Sequence, residues 1–233
     1  MLDVRVIAYM DDILIYSETI EEHVAMVRKV MVRLRKACLY VRIKKSSFYT
    51  REVEFLGYKI SNRGISMTTK KVEEITAWLP PQKVVDVQSF MGFANFYGQF
   101  IKGFSKIVKP LTDLTRKVIK WDWTAACQQA FDKLKTAFTT SPILTHFDET
   151  HQTKLETDAS DFALGAVLSQ FCEDKKWHPV AFYSRKFAPA KINYDVHDKE
   201  MTAIVAAFKE WEYMLRLVED QIVVYTDHKN LEY

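Results

Sequence analysis

The sequence of 233 residues predicts an α+β fold in three parts. Two short apolar runs flanking Asp11-Asp12 predict a hairpin, which a helix follows. Apolar residues at spacings of three and four predict a mainly helical middle. Three short strands, a long helix and another strand then predict a βββαβ unit with a mixed sheet. We place the three parts at residues 1–65, 66–142 and 143–233.

The first part is predicted to bring two carboxylates together at a hairpin tip. Residues 4–10 and 13–16 are apolar runs typical of strands, and Asp11 and Asp12 lie between them. Adjacent carboxylates repel each other, and a shared divalent cation removes that repulsion. Because aspartate is also a common turn residue, the pair predicts either a metal site or a simple turn.

A helix and two strands are predicted after the hairpin. Residues 19–22, Thr-Ile-Glu-Glu, match a capping box. The helix then presents an apolar face made by Val24, Val27, Met31, Leu34 and Cys38. Residues 41–43 and 52–60 predict strands, and the second strand ends in a turn over residues 61–64.

The middle part is predicted to hold three helices. Thr69 and Asp86 are the predicted caps of the first two, and the third begins after Thr124. The prolines at 80–81 end the first helix, and the third ends before Pro142. In chain order, the predicted apolar faces are Val72, Ile75 and Leu79, then Val87, Phe90, Met91 and Ala94, then Phe131, Leu134 and Phe138.

Charge is distributed unevenly, although the net charge is only +3. Residues 41–120 hold 15 Lys and Arg against 6 Asp and Glu, a balance of +9, whereas residues 121–233 hold 12 against 18, a balance of −6. Basic residues interleaved with aromatics suit a surface that follows a phosphate backbone, and an acidic neighbour suits metal-dependent chemistry on that backbone. Alternatively, the aromatics form a core and the lysines a solvated face.

The last part is predicted to gather three carboxylates at one end of its sheet. Asp158 ends the first strand, Asp227 follows the last, and Glu200 lies in the first turns of a helix spanning residues 195–217. Together they would form a hard-oxygen pocket suited to Mg²⁺ and to phosphodiester chemistry. Taken singly, they are explained as a turn former, a helix cap and an exposed helix charge. The predicted apolar stripe of the helix is Met201, Ile204, Val205, Phe208, Trp211 and Leu215.

Other classes of protein are not favoured by the composition. No apolar run is long enough to span a membrane, and the first residues show no secretory leader. We therefore expect an intracellular protein, in a cytoplasmic particle or the nucleus, without a membrane partner. Cys38, Cys127 and Cys172 are far apart and lack the spacing of metal ligands, so we expect them to be buried free thiols.

Ordered motifs in the first two parts resemble the polyprotein of gypsy-class LTR retrotransposons. Residues 9–17, YMDDILIYS, resemble the palm active-site hairpin of reverse transcriptases. Residues 55–58 and 64–65 resemble the primer grip, residues 90–112 the thumb, and residues 121–138 the link to the next domain. This resemblance implies that Asp11 and Asp12 belong to the metal-binding set of the polymerase. It implies nucleic-acid contacts by Tyr9, Met10, Phe55, Leu56, Gly57 and Tyr58.

The last part resembles the ribonuclease H domain of the same polyproteins. The matching segments include Glu-Thr-Asp-Ala-Ser at 156–160, Tyr-Ser-Arg-Lys at 183–186, Lys-Glu at 199–200 and Thr-Asp-His-Lys at 226–229. The resemblance implies that Asp158, Glu200 and Asp227 hold Mg²⁺, with Mn²⁺ as an alternative ion. It implies an RNA–DNA hybrid or a primer–template as the partner. Asn193 and His228 are expected to contact the nucleic acid, although helix capping explains them equally well.

The sequence departs from the family pattern at both ends. An upstream palm aspartate, the fingers and most of the palm are missing, and so are a fourth ribonuclease H carboxylate and the segment that carries it. We therefore expect cleavage of RNA in a hybrid as the residual activity, with polymerisation belonging to the full-length family member. The alternative is a catalytically silent remnant that binds nucleic acid or serves as an interaction module. We also expect the missing palm and fingers, or another chain, to cover residues 1–40.

Overall fold

The computed structural model describes residues 5–116 and 119–226. The chain divides into two compact units, one ending at Asn62 and the other beginning at Arg63. The predicted division into three parts stays a prediction. None of the helices in the described ranges is long and apolar enough to cross a membrane.

The described part of the first unit contains two hairpins and one helix. Strands β1 (Val6–Tyr9) and β2 (Asp12–Ile15) pair antiparallel, and helix α1 spans Ile20–Lys36. The hydroxyl of Thr19 accepts the N–H of Glu22 at 3.3 Å, which confirms the predicted cap. Strands β3 (Glu52–Phe55) and β4 (Tyr58–Ser61) form the second hairpin.

Two predictions near the end of α1 are wrong. The helix ends at Lys36 because Cys38 adopts a left-handed conformation with φ of 55°. That turn leaves the Cys38 thiol exposed instead of buried, whereas Cys127 is buried and Cys172 half-buried. Residues 41–43 form no strand, and a 3₁₀ turn spans Ile43–Lys45 instead. The side chain of Ile43 is 74% exposed, so burial against a sheet does not hold this segment extended.

The predicted single strand over residues 52–60 is also wrong. Leu56 (φ 51°) and Gly57 (φ 82°) reverse the chain between β3 and β4, and Phe55 pairs with Tyr58 across this turn. Two successive positive φ angles are typical of the tight turns that join twisted strands. The segment predicted to be a primer grip is therefore a hairpin tip.

The second unit begins with a short strand that approaches a distant part of the chain closely. Strand β5 (Gly64–Met67) bridges to Leu144, with the N–H of Ile65 donating to the carbonyl of Leu144 at 2.7 Å. A Cβ on Gly64 would lie 2.0 Å from that carbonyl oxygen. Strand β5 was not predicted from the sequence.

Strand β5 is followed by helices α2 (Thr69–Thr76), α3 (Val84–Phe96), α4 (Phe104–Leu114) and α5 (Ala125–Thr139). Their core is aromatic at its centre, where the rings of Phe90 and Phe131 lie 4.7 Å apart. The predicted faces of α3 and α5 are confirmed, because all of their named residues are buried. Helix α5 begins after Thr124 as predicted, and the hydroxyl of Thr124 caps it by accepting the N–H of Cys127 at 3.3 Å.

The described residues form four helices here where three were predicted, because α4 was not predicted, and three details of the others also differ. The hydroxyl of Thr68, not of Thr69, caps α2 by accepting the N–H of Lys71. Asp86 lies in the first turn of α3, where its carboxylate accepts the N–H of Gln82 at 3.1 Å, and the cap position is Lys83. Leu79 lies beyond α2 and is exposed, while the ring of Trp78 packs 5.6 Å from that of Phe90.

The last part of the second unit is the predicted βββαβ arrangement with a mixed sheet. Strands β6 (Thr153–Ala159), β7 (Ala163–Phe171) and β8 (Trp177–Lys186) are antiparallel, and β9 (Val223–Tyr225) pairs parallel with β6. The order across the sheet is β8-β7-β6-β9. This confirms the predicted fold class for the described residues.

Helix α6 (Val196–Glu210) continues into α7 (Glu212–Leu215), and together they cover one face of the sheet. The predicted apolar stripe is confirmed in part, because Trp211 and Leu215 are buried in the core and Phe208 packs against it. Small residues, Ala203, Ala206 and Ala207, face the sheet, while Met201 and Val205 are each 46% exposed. The alanines let α6 approach the sheet closely, and the predicted positions of Met201 and Val205 are wrong because they lie outside this contact.

Candidate active site

Asp158 lies near the end of β6 on the face of the sheet opposite α6. Side chains alternate along a strand, so Leu155 and Thr157 face α6 and Asp158 faces away. Across the sheet, Asp158 pairs with Gly165, and Gly165 pairs with Ser184 of β8. The Asp158 carboxylate is 55% exposed and forms an ion pair with Lys106 of α4. It is therefore open to solvent but already has a cation beside it.

Glu200 approaches the same end of β6 from the first turns of α6. Its side chain is only 2% exposed. One carboxylate oxygen, Oε1, accepts the N–H of Ala159 at 2.9 Å, which is the peptide group that follows Asp158. The other, Oε2, accepts the hydroxyl of Thr226 at 3.4 Å. The predicted exposed-charge explanation of Glu200 is wrong, because this carboxylate is buried and hydrogen-bonded to two strand ends.

The parallel pairing of β9 with β6 brings the end of β9 next to β6. Glu156 pairs with Tyr225, and the hydroxyl of Thr157 donates to the carbonyl of Tyr225 at 3.5 Å. Asp227 and His228 lie outside the described residues, so their predicted roles stay predictions. The structure thus brings Asp158, Glu200 and Thr226 to one end of the sheet.

Asn193, which is also predicted to contact nucleic acid, is exposed in the turn before α6. The cap position of α6 is Asp195, so Asn193 is not the helix cap. Its predicted contact with nucleic acid stays a prediction.

The donor set at the end of β6 suits a hard divalent cation. Mg²⁺ prefers carboxylate oxygens and keeps several water ligands, which an exposed carboxylate such as Asp158 allows. Each carboxylate oxygen of Glu200 has two lone pairs and can accept more than one bond. The Asp158 carboxylate already has one positive charge beside it, the ammonium of Lys106.

A second group of potential ligands lies at the start of α6. Within the described ranges, Asp195, His197 and Asp198 are the group of three whose ligand atoms lie within 4.8 Å of one another. All three side chains are exposed, and the group was not predicted from the sequence. Exposed polar groups of this kind also occur without a metal.

The Asp11-Asp12 pair lies at the tip of the first hairpin. Tyr9 pairs with Asp12, and Met10 and Asp11 form the two-residue turn between the strands. Met10 has φ of 49° and is 89% exposed, a conformation that is uncommon for a residue other than glycine. Both aspartates are exposed, so the tip presents two carboxylates to solvent.

Comparison with known proteins decides the family. Residues 1–60 match the model "Reverse transcriptase (RNA-dependent DNA polymerase)", and residues 123–224 match the model "RNase H-like domain found in reverse transcriptase". The Transposon Tf2-3 polyprotein of Schizosaccharomyces pombe is 39% identical over 227 residues, which is 97% of this chain. The chain carries reverse transcriptase and RNase H-like domains of the kind found in retrotransposon polyproteins. This confirms the resemblance drawn from the sequence.

Solved structures of other reverse transcriptases share the fold of this one. A foamy viral protease-reverse transcriptase in complex with double-stranded DNA is 26% identical, with a TM-score of 0.78 over 96% of this chain and 46% of that chain. A form of it named dRH, also with double-stranded DNA, is 25% identical, with a TM-score of 0.80 over 96% and 39% of the two chains. The chain spans 17% of the length of the Tf2-3 polyprotein.

Proposed function

We propose that this chain carries a Mg²⁺-dependent site that cleaves the RNA strand of an RNA–DNA hybrid. The observation that supports it most strongly is the double hydrogen bond of Glu200, which ties the residue after Asp158 and the residue before Asp227 to one buried carboxylate. A carboxylate that only caps or solubilises a helix has no reason to be buried at this junction.

Each residue has a distinct part in this proposal. Asp158, which is open to solvent, binds the metal and faces the nucleic acid, and Glu200 binds from the buried side and fixes the end of β6 through Ala159. Asp227 is proposed as the third ligand. Bound Mg²⁺ supplies activation of water and stabilisation of the leaving oxygen in phosphodiester hydrolysis. Mn²⁺ has similar ligand preferences and is proposed as a substitute.

Nucleic acid is the proposed partner, and two observations support it. The basic balance of +9 over residues 41–120 suits a phosphate backbone. The two foamy viral enzymes described above were solved with double-stranded DNA. A hybrid is distinguished from DNA by its 2′-hydroxyls and its groove shape. The proposed location of the protein is intracellular, where such hybrids form.

The Asp11-Asp12 hairpin is proposed as part of a polymerase site in the full-length family member. Its two exposed carboxylates suit metal ions, and Tyr9 and Met10 are proposed to lie near a primer end. The hairpin tip at 55–58 is proposed to contact the primer as well.

Cleavage of a labelled RNA–DNA hybrid tests the proposal. With Mg²⁺, the wild-type chain is expected to shorten the RNA strand, and Asp158→Asn is expected to lose at least tenfold in rate. Asp161→Asn is the matched control. It removes the same charge at a position three residues after Asp158, and the Asp161 side chain is 96% exposed. Equal cleavage by wild type and Asp158→Asn would contradict the proposal.

A second candidate function is nucleic-acid binding without cleavage, favoured by the same basic balance. In that case the Lys106–Asp158 pair is a permanent structural contact. Binding of the hybrid would then weaken steeply with salt, as phosphate contacts do, while no RNA is cut at any Mg²⁺ concentration.

A further inference from the structure

Lys106 sits beside Asp158 because helix α4 is anchored to the sheet next to it. The N–H of Ser105 donates to the hydroxyl of Ser184 at 3.0 Å, and that hydroxyl donates in turn to the carbonyl of Leu164 at 3.2 Å. These two bonds fix the first turn of α4 above β8. The position of Lys106 therefore follows from the backbone of the helix and not from a freely moving side chain alone.

Three residues paired across the sheet connect this turn of α4 to the Asp158 carboxylate. Ser184, Gly165 and Asp158 lie opposite one another on β8, β7 and β6. Gly165 has no side chain, so nothing projects from the middle strand between the anchored turn and Asp158. The lysine side chain reaches the carboxylate, and both groups remain partly exposed, at 36% and 55%.

We propose that Lys106 is the counter-ion of Asp158 in the metal-free protein and that a divalent cation must displace it. The inference rests on the proposed function, in which Asp158 is a metal ligand. A protonated lysine and a metal ion compete for the same carboxylate oxygens. Before the metal binds, the ammonium balances the negative charge of the Asp158 carboxylate.

The exposure of the pair fixes the expected size of the effect. Exposed ion pairs contribute little because water competes with them, so the lysine weakens metal binding by about two- to fivefold. A weakening of this size raises the metal concentration that is needed to fill the site, but it does not prevent the site from filling. Lys106 thus balances the charge of Asp158 in the metal-free protein and is released when the cation arrives.

Direct binding of Mn²⁺, followed by the loss of the electron paramagnetic resonance signal of the free ion, tests the inference without an activity assay. Lys106→Met is expected to bind Mn²⁺ about two- to fivefold more tightly than wild type. Lys106→Arg, which keeps the charge, is expected to stay near wild type. Lys102→Met is the matched control, because it removes the same charge from an exposed position at the approach to α4.

The outcomes separate this inference from the proposed function. If Asp158→Asn weakens Mn²⁺ binding but Lys106→Met leaves it unchanged, the counter-ion role is overturned and the metal site stands. An equal gain in Lys106→Met and Lys102→Met reflects net charge alone and also overturns it. If Asp158→Asn binds Mn²⁺ like wild type, or if neither wild type nor Lys106→Met binds it, both proposals are overturned. Thermal unfolding of each variant verifies that it is folded.

Discussion

The backbone N–H of Ala159 donates to Oε1 of Glu200 at 2.9 Å, joining the end of strand β6 to the first turns of helix α6. These residues are 41 positions apart in the sequence. The bond places a buried carboxylate next to the peptide that follows Asp158. The geometry of the proposed metal site therefore depends on a contact that also stabilises the fold.

This contact predicts different effects for two substitutions of Glu200. Glu200→Gln retains a carbonyl oxygen that can accept the N–H of Ala159, whereas Glu200→Leu leaves that buried N–H without its acceptor. We expect Glu200→Leu to be less stable than Glu200→Gln by about 1–3 kcal/mol. Urea denaturation measures the difference, and equal stability of the two variants would show that the hydrogen bond is unimportant.

Gly64 is predicted to be intolerant of any side chain. A Cβ there would lie 2.0 Å from the carbonyl oxygen of Leu144, and its φ of 129° is strained for other residues. We expect Gly64→Ala to lower the free energy of unfolding by about 2 kcal/mol or more. Gly92→Ala is the matched control, because a Cβ at this helical position meets no atom within 4 Å. We expect the control to raise stability by about 0.5–1 kcal/mol, and a similar loss in both variants would refute the steric cause.

The cap of helix α5 is predicted to contribute measurably to stability. The hydroxyl of Thr124 accepts the N–H of Cys127 at 3.3 Å, at a helix start where N–H groups otherwise lack partners. We expect Thr124→Ala to cost about 1 kcal/mol in chemical denaturation. Thr124→Ser, which keeps the hydroxyl, serves as the control and should recover most of the loss. Equal destabilisation by Ala and Ser would exclude capping as the cause.

Asp113 is predicted to make stability depend on pH in the acid range. Burial raises the pKa of this carboxyl. Lys109 at 2.7 Å, together with Arg116 and Lys186, lowers the pKa by more than burial raises it. The net pKa therefore lies below its ordinary value of 3.8. A carboxyl with a depressed pKa stabilises the fold above its unfolded-state pKa, and this stability is lost as the pH falls through the folded-state pKa.

Asp113→Asn should therefore be less stable than wild type at pH 7, and the difference should shrink as the pH falls below 3.8. The denaturation midpoint measured from pH 7 to pH 3 tests this. Asp122→Asn, at an exposed position, is the control and should change little. A difference that persists unchanged at the lowest pH would rule out the ionised carboxylate as its source.

The order of the elements could be predicted from the sequence wherever side-chain periodicity is strong. Phe131, Leu134 and Phe138 mark the buried face of α5 correctly, because bulky apolar residues at spacings of three and four form one continuous stripe on a helix. The face of α6 could not be predicted in the same way. Its contacts with the sheet are made by alanines, whose weak hydrophobicity hides which side is buried.

The positive φ angles of two non-glycine residues also could not be predicted from the sequence. Cys38 and Leu56 adopt positive φ angles, at 55° and 51°, and neither residue type signals a turn. At the candidate site, the sequence predicted Asp158 and Glu200 but not the groups that bind them. Lys106 and Thr226 reach these carboxylates through tertiary contacts from α4 and the end of β9, which no local pattern encodes.

The proposed nuclease site is tested most directly by the single-turnover rate of cleavage of an RNA–DNA hybrid labelled separately on each strand. Glu200→Gln should be compared with Glu210→Gln, the same change at the other end of α6, in saturating Mg²⁺. We predict that only the RNA strand is cut and that omitting Mg²⁺ abolishes cutting. Glu200→Gln should be at least tenfold slower than wild type, while Glu210→Gln matches it. Equal rates for Glu200→Gln and wild type would contradict the proposed site.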